Sequence, residues 1–336
     1  MRSNSWLGVV FCVWAVVMTP SRVGAGETED RTERTFEVKP GGKLRVQVDR
    51  GSVTVSGGDR STAEVEVVRR VVRGSAEKAR KLLEGHQVRL SQEGEILRVE
   101  AGLKNPDWGR WIGWGPGLEV SIRVLLPREF DVAVETGGGS VSASNLKGES
   151  MLKTSGGSIR LEQVEGQWSA RTSGGSIRAR GVVGMTDLNT AGGSIKVEGA
   201  GGSSLKASTS GGSLELGGIA VPADVRTSGG SITIETSATP LSATTSGGSI
   251  QAAITQAPKE SVDLKTSAGG ISLILPAGAG FELDASTSAG GVSSEIPVST
   301  VEGGKMGRSS LRGTANGGGP RVKLRTSAGS IRVKTP

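Results

Sequence analysis

The chain has 336 residues, of which 54 are glycine, 3% are aromatic and none is tyrosine, and its formal net charge is +7. So few aromatic side chains exclude the thick core of an ordinary globular domain, and any core must be built from small aliphatic side chains. The single cysteine excludes a disulfide framework, and the mild, dispersed positive charge permits anionic partners without indicating nucleic-acid binding.

Residues 1–25 are typical of a secretory signal peptide. Arg2 supplies the positive start, the apolar run 6–18 is too short to span a bilayer, and a small-residue cleavage site ends at Ala25. We expect cleavage near Ala25, with retention as an N-terminal anchor as the alternative. Cleavage would remove Cys12 and two arginines, so the mature chain would have no thiol and a net charge of +5 instead of +7.

Residues 26–130 are predicted to form a β-rich N-terminal portion with a single helix. Alternation of apolar and polar residues predicts short strands, the clearest at 43–48, 63–72, 96–100 and 118–126. The helix is predicted over 75–85, because Ser75 suits the N-cap, Glu77 the first turn and Gly85 the stop. The stretch 51–59, GSVTVSGGD, resembles a degenerate early copy of the repeat that dominates the rest of the chain.

A tryptophan loop is predicted over 105–116, where NPDWGRWIGWGP places Trp108, Trp111 and Trp114 within seven positions. The surrounding Gly and Pro disfavour a regular helix or strand. Exposed tryptophans suit stacking on sugars, a membrane interface or a protein contact. Alternatively, the loop covers the open end of the repeat domain. The sequence favours capping without excluding binding.

From residue 131 onward the chain is a repeat built on TSGGSI and close variants. The leading threonines are Thr136, Thr154, Thr172, Thr190, Thr209, Thr227, Thr245, Thr266, Thr287 and Thr326. Successive threonines are 18 or 19 residues apart up to Thr245, and the later steps are 21, 21 and 39. A period of this size indicates a stacked repeat architecture. The last step leaves room for one degenerate rung or a hairpin around 316–319.

The repeat predicts an all-β fold, a parallel β-solenoid of about ten rungs of 18–21 residues occupying 131–336. An aliphatic or alanine residue lies two positions before each leading Thr, and Val, Ile or Leu lies five positions after it. This parity predicts strand, bend, strand, with both positions and the Thr facing the core and the Gly pair forming the bend. Rungs about 4.8 Å apart would give a rod of roughly 50 Å.

The repeats, together with the strand-proline elements VLLP (124–127) and LILP (273–276) and the final rung KLRTSAGSIRV (323–333), resemble a known family. This is the bacterial “putative adhesin” family of DUF4097-type proteins, and the resemblance covers about 36–336. It implies an exported β-solenoid. The motifs are specific for the architecture and say little about the ligand.

A basic ladder is predicted at outward positions beside the repeat motif. Its members are Lys153, Arg160, Arg171, Arg178, Lys196 and Arg226. Stacked rungs would align several cations on one face, where they could hold an anionic polysaccharide, lipid head groups or phosphate. Alternatively, the cations only keep the protein soluble and protect its edges. Glu162 and Glu215 interrupt the ladder.

Catalysis is poorly supported by the sequence. His86 is the only histidine, so a histidine metal cluster is excluded and a structural role is favoured for this residue. Asp263 and Asp284, each three residues before a leading Thr, are the sole candidates for paired carboxylates on neighbouring rungs. No phosphate-binding glycine loop opens a helix, and we expect no cofactor and no metal.

The favoured function is therefore that of a non-enzymatic exported β-solenoid, an adhesin or envelope scaffold in the periplasm or at the cell surface. Its partner would be a glycan or a protein, and not a nucleic acid. Membrane association would require the tryptophan loop or an uncleaved signal. The alternatives are a polysaccharide-binding or polysaccharide-cleaving solenoid and an envelope-stress or signalling component.

Overall fold

A computed structural model describes residues 22–23, 27–72, 75–104, 117–238, 240–299 and 306–336. The N-terminal elements are β1 (Arg22–Val23), β2 (Glu27–Glu37), β3 (Gly42–Val48), β4 (Ser52–Gly58), β5 (Thr62–Val71), α1 (Ala76–Gly85), β6 (His86–Glu93), β7 (Ile96–Leu103) and β8 (Leu118–Pro127). The next strands are β9 (Phe130–Thr136), β10 (Val141–Ser144), β11 (Lys147–Thr154), β12 (Ile159–Thr172), β13 (Ile177–Thr190), β14 (Ile195–Thr209), β15 (Leu214–Ile219), β16 (Ala223–Thr227) and β17 (Ile232–Thr236). The remaining strands are β18 (Leu241–Thr244), β19 (Ile250–Ile254), β20 (Val262–Lys265), β21 (Ile271–Ile274), β22 (Phe281–Ala289), β23 (Val292–Ser294), β24 (Met306–Gly307), β25 (Ser310–Ala315), β26 (Arg321–Ala328) and β27 (Ile331–Lys334).

Helix α1 confirms the predicted N-cap. The amide of Lys78 donates to Ser75 Oγ at 3.3 Å, and Glu77 lies in the first turn, where it complements the helix dipole. At the other end, the amide of His86 donates to the carbonyl oxygen of Leu83. The helix contacts β2, β5 and β6, so it packs against the N-terminal end of the fold.

The solenoid consists of two stacks of parallel strands, which we call stack A and stack B. Stack A holds the strands that enter each Gly-Gly bend, and in space it runs β7, β3, β9, β11, the second halves of β12, β13 and β14, then β16, β18, β20, β26 and β22. Stack B holds the strands that leave the bends, and it runs β8, β4, β10, the first halves of β12, β13 and β14, then β15, β17, β19, β21, β27 and β23. The all-β solenoid predicted from the repeat is confirmed.

The rungs stack in register, so equivalent residues of the repeat lie over one another. Thr154 pairs with Thr136 on one side and Thr172 on the other, and Ile159 likewise pairs with Val141 and Ile177. All ten leading threonines are buried, as are the residues two positions before them. The predicted inward parity is therefore confirmed, and the core between the stacks is one continuous cluster of mostly aliphatic side chains.

Each leading threonine is bonded to backbone and not to another threonine. Thr190 Oγ1 donates to the carbonyl oxygen of Gly175 in the preceding rung at 2.7 Å and accepts from the amide of Gly193 in its own rung at 3.3 Å. The same pair of bonds recurs at Thr154, Thr172, Thr209, Thr227, Thr245 and Thr266. At each of these seven bends a buried hydroxyl thus satisfies two backbone groups.

The N-terminal portion continues the same stacks. β3 and β4 lie directly against β9 and β10, with Val48 at the level of Thr136 and Val53 at the level of Val141. The early copy of the repeat predicted over 51–59 is therefore a rung. β7 and β8 form one further rung beyond it, and both sheets pass residue 131 without a break.

Antiparallel strands cover the outer strands of both stacks at the N-terminal end and the outer strand of stack A at the C-terminal end. At the N-terminal end β6 pairs with β7, β5 with β8, β2 with β5 and β1 with β2. At the C-terminal end β25 pairs with β22 and β24 with β25. Reversing the strand direction ends the parallel series and protects edges that would otherwise pair with other chains.

The spatial order of the last rungs differs from their order in the chain. β26 and β27, which end the sequence, pair with β20 and β21, and β22 and β23 lie outside them. The rung of Thr326 is therefore inserted between those of Thr266 and Thr287. The 39-residue step contains no additional parallel rung in its described part, because β25 runs antiparallel on the outer side of β22.

Candidate functional site

The structure divides the predicted basic ladder between two faces. Lys153, Arg171 and Arg226 point outward from stack A, whereas Arg160, Arg178 and Lys196 point outward from stack B. The prediction of one cationic face is therefore wrong. The reason is that positions before the bend and after it belong to opposite stacks, although both have outward parity.

Carboxylates neutralise most of this ladder. Lys153 Nζ lies 2.7 Å from Glu135, Arg171 lies 3.0 Å from Asp187 and Arg226 lies 2.9 Å from Asp224, each distance ending on a carboxylate oxygen. On stack B, Lys196 Nζ lies 2.8 Å from Glu215 and 3.4 Å from Glu198, and Arg160 lies 4.0 Å from Glu162. Within the described residues, Arg178 makes no ion pair. Such exposed pairs favour the solubility interpretation of the ladder.

The pair of Arg180 with Glu198 joins the same network on stack B at 2.7 Å. Its hydrogen bond raises the pKa of Arg180 and, together with the bond to Lys196, lowers the pKa of Glu198. The pKa of Lys196 is raised, chiefly by its hydrogen bonds to Glu215 and Glu198. These groups stay charged and satisfy one another at neutral pH.

The tryptophan loop, with Trp108, Trp111 and Trp114, lies outside the described residues. Its flanking strands β7 and β8 belong to the outermost parallel rung at the N-terminal end. The choice between capping and binding stays a prediction.

A cleft of about 690 Å³ opens on the N-terminal strands. Arg31 lies 2.7 Å from Glu66, Arg123 lies 3.6 Å from the same carboxylate, and Arg70 lies 2.9 Å from Glu29. Charges of both signs line the cleft and pair across it, so its chemistry does not select for one sign of ligand.

A shallow groove of about 560 Å³ on the outer face of stack A is the candidate interaction site. Met151 on β11 and Met185 on β13 are half exposed, at 49% and 51%, on either side of β12. The groove is also lined by Arg45, Asp131, Glu149, Gln167, Ser169, Arg171 and Asp187. Val183, at 46%, is the third large apolar side chain that is exposed within the described residues.

These methionines were missed at the sequence level because they lie at outward positions of otherwise typical repeat strands. Register explains their proximity. Met151 pairs with Ser169, whereas Met185 pairs with Gln167, two residues away on the same strand β12. The sequence signal that could have identified them is the presence of apolar residues at outward positions, which are mostly polar in the other rungs.

The proposed pair of catalytic carboxylates does not exist. Asp263 on β20 and Asp284 on β22 are separated by β26, so their strands lie two spacings apart, about 10 Å. Moreover, Asp284 is only 4% exposed and is held by Arg312, Arg321 and Arg325. A buried carboxylate that accepts hydrogen bonds from three arginines is not available to act as an acid or base.

His86 is buried at the junction of α1 and β6, which agrees with its predicted structural role. The side chain is 2% exposed and its Nδ1 has no hydrogen-bond partner. Burial, and to a smaller extent the positive charge of Arg69, lower the pKa of His86 to about 4 against the opposing effect of Asp49. The ring is therefore neutral at physiological pH.

The described residues contain no group of three or more His, Cys, Asp or Glu side chains that could hold a metal ion. Within the same ranges, no helix has the length and apolar character needed to cross a membrane.

Comparison with known proteins assigns the family. Residues 28–334 match the DUF4097 Toastrack family, and the chain belongs to it. No curated protein matches the sequence.

Solved structures give weaker similarity. A “putative lipid binding protein” from Parabacteroides distasonis is 13% identical, with a TM-score of 0.42, over 90% of this chain and 96% of that one. A “putative adhesin” from the same organism is also 13% identical, with a TM-score of 0.40 and the same coverage. A “putative cell adhesion protein” from Clostridium sporogenes is 12% identical over 91% of this chain and 100% of that one, with a TM-score of 0.22. These values are too low to transfer a function.

Proposed function

We propose that this Toastrack-family protein is a non-enzymatic, exported β-solenoid that acts as an adhesion or envelope interaction module. The supporting observation is the groove on stack A, where two half-exposed methionines lie on a rigid, in-register strand surface. Inward positions repeat with little variation because they stack, and outward positions are free to differ from rung to rung.

The chemistry of the groove suits a protein partner. Methionine side chains are flexible and polarisable, so they adapt to apolar surfaces of different shape. Exposed apolar side chains rimmed by polar groups mark contact sites on soluble proteins. The rim charges of Arg171 and Asp187 already pair at 3.0 Å, so the groove has no excess of either sign to attract a polyanion.

The proposal places the protein in the periplasm or at the cell surface, since the segment 1–25 is predicted to direct export. Fractionation of cells would test this directly. Recovery in the cytoplasm would contradict an envelope role.

The groove is tested by a double variant with a matched control. Met151→Glu with Met185→Glu introduces two charges into the groove. Thr233→Glu with Gln251→Glu introduces the same charges at exposed outward positions of stack B. A photo-crosslinking residue is placed separately at 151, 185 and 251, and cross-linked products from envelope extract are identified by mass spectrometry.

We expect positions 151 and 185 to yield the same partner and position 251 not to yield it. Pull-down of that partner should be lost with the groove variant and kept with the control. Identical products from all three positions, or equal loss in both variants, would overturn the groove as the binding face. Loss only in a Trp108→Ala, Trp111→Ala and Trp114→Ala triple variant would move binding to the tryptophan loop.

A further inference from the structure

The C-terminal end of stack A contains a buried carboxylate surrounded by three arginines. Asp284 lies at an outward position of β22 but is covered, because Arg312 on β25 and Arg321 and Arg325 on β26 converge on it from both neighbouring strands. Arg312 Nε donates to Oδ1 at 2.9 Å, Arg321 Nη2 donates to Oδ2 at 3.2 Å and Arg325 Nη2 donates to Oδ2 at 3.3 Å. We call these four residues the arginine cluster.

The carboxylate is covered while the guanidinium groups are not. The Asp284 side chain is 6% exposed, whereas those of Arg312, Arg321 and Arg325 are 60%, 65% and 44% exposed. Each arginine uses only part of its five N–H groups on Asp284. The remaining N–H donors of the three exposed guanidinium groups are therefore available to a ligand, and all of them lie around Asp284.

The cluster has an excess of two positive charges, because one carboxylate faces three guanidinium groups. Neighbouring charged groups preserve this excess. Lys323 is in register with Asp284, and its Nζ lies 3.9 Å from Oδ2 of Asp263, so these two charges offset each other. Lys265 is in register with Arg325. Glu282 is exposed and lies in register with Arg321, and its negative charge offsets the positive charge of Lys265. Neither Glu282 nor Lys265 makes an ion pair with a described residue.

Asp284 stays ionised in this setting. Burial by itself would raise the pKa of Asp284, but the hydrogen bond and charge of Arg312, with Arg325, hold the pKa below its usual value. A permanently charged carboxylate orients the three arginines before any ligand arrives. Preorganisation of this kind reduces the entropy lost on binding.

We propose that the arginine cluster is a binding site for a phosphate group, in which Asp284 positions the three arginines and their outward N–H groups bind the phosphate oxygens. Guanidinium groups match phosphate geometry with paired hydrogen bonds, and the negative charge of a phosphate group is attracted by the local excess of positive charge. The phosphate could belong to a lipid head group or to a free, soluble phosphate compound. This site lies at the other end of stack A from the groove and does not depend on it.

Binding is tested on the purified protein with two probes. Soluble polyphosphate is titrated calorimetrically, and vesicles of phosphatidylglycerol are tested by co-sedimentation, with phosphatidylcholine vesicles as the blank. The variant Arg321→Gln with Arg325→Gln removes two donors. The control Lys153→Gln with Arg226→Gln removes the same charge from outward positions of stack A where each cation has a single carboxylate partner.

We expect the cluster variant to lose at least about tenfold in affinity, since hydrogen bonds between charged groups are the strong ones, and the control to change by less than about twofold. Arg321→Lys with Arg325→Lys keeps the charge and should recover only part of the affinity. Thermal melting checks that each variant is folded.

Binding of polyphosphate alone identifies a free phosphate compound as the source, and binding of anionic vesicles alone identifies a lipid head group. Either result supports the site, provided that the cluster variant loses it. Failure to bind both probes would overturn the proposal. Equal losses in the cluster and control variants, or full recovery with lysine, would also overturn it, because they would indicate attraction by net charge only.

Discussion

Thr172 Oγ1 donates a hydrogen bond of 2.8 Å to the carbonyl oxygen of Gly157, fifteen positions earlier in the chain. Thr172 Oγ1 also accepts a hydrogen bond of 3.2 Å from the amide of Gly175. One buried hydroxyl thus joins the bend of its own rung to the bend of the rung below. This explains why the repeat begins with threonine, since neither serine nor valine supplies both the inward methyl group and the hydroxyl.

The variant Thr172→Val should destabilise the protein by about 2 kcal/mol, because it leaves the half-buried carbonyl of Gly157 and the half-buried amide of Gly175 without this partner while keeping the side-chain shape. Thr172→Ser keeps the hydroxyl and loses one methyl group, for about 1 kcal/mol. Urea unfolding followed by circular dichroism measures both. A serine variant less stable than the valine variant would show that the methyl group matters more than the hydrogen bonds.

Replacement of the second glycine of a bend should be severely destabilising. A Cβ atom on Gly157 would lie 2.0 Å from the carbonyl oxygen of Gly139, and this backbone contact cannot be relieved by a rotamer change. We expect Gly157→Ala to cost about 3 kcal/mol or more.

The neighbouring Gly156 provides the matched control, since its Cβ would meet nothing closer than 3.7 Å. The chain itself has alanine at this first position in three rungs, at Ala268, Ala289 and Ala328, and glycine at the second position in all ten. Gly156→Ala should therefore change the unfolding midpoint little. Comparable losses in the two variants would contradict the close approach between rungs.

Acidification should destabilise the protein through His86. Its pKa is about 4 in the folded protein and about 6.5 in the unfolded chain, so between these values the unfolded chain binds a proton that the folded protein does not. Stability therefore falls as pH decreases from about 6.5 to 4, by about 3 kcal/mol in total.

Comparison with His86→Gln isolates this effect, because both proteins share the same titrating carboxylates. The difference in unfolding free energy between wild type and variant should change steadily across this pH range and be constant above about pH 7. A constant difference throughout would mean that the pKa of His86 is unshifted.

Much of the local structure follows from residue patterns. The helix boundary at Ser75, the inward threonines and the early rung before residue 59 were all predictable, because capping and strand parity depend on neighbours in sequence. The positions of Met151 and Met185 on either side of β12 were not predictable with the same ease. Their proximity depends on the register between rungs, and that register becomes visible only when the stacks are paired.

The arginine cluster shows the limit more clearly. Asp284 and Arg325 are 41 positions apart, and counting rungs along the chain places Asp284 beside Asp263. In the structure β26 lies between the strands of Asp263 and Asp284, because the chain folds back after β22 and inserts its last rung into the stack. No periodicity encodes an insertion of this kind.

The sequence by itself determined that this protein is a β-solenoid and which side of each strand faces the core, since an 18-residue repeat with period-two alternation leaves one economical way to bury its aliphatic residues. Only the tertiary structure decided which outward side chains share a face. It divided the predicted basic ladder between two stacks, separated the two aspartates and brought three arginines onto one carboxylate. The physical reason is that core parity is a property of one strand, whereas a surface is made by the pairing of strands that lie far apart in the chain.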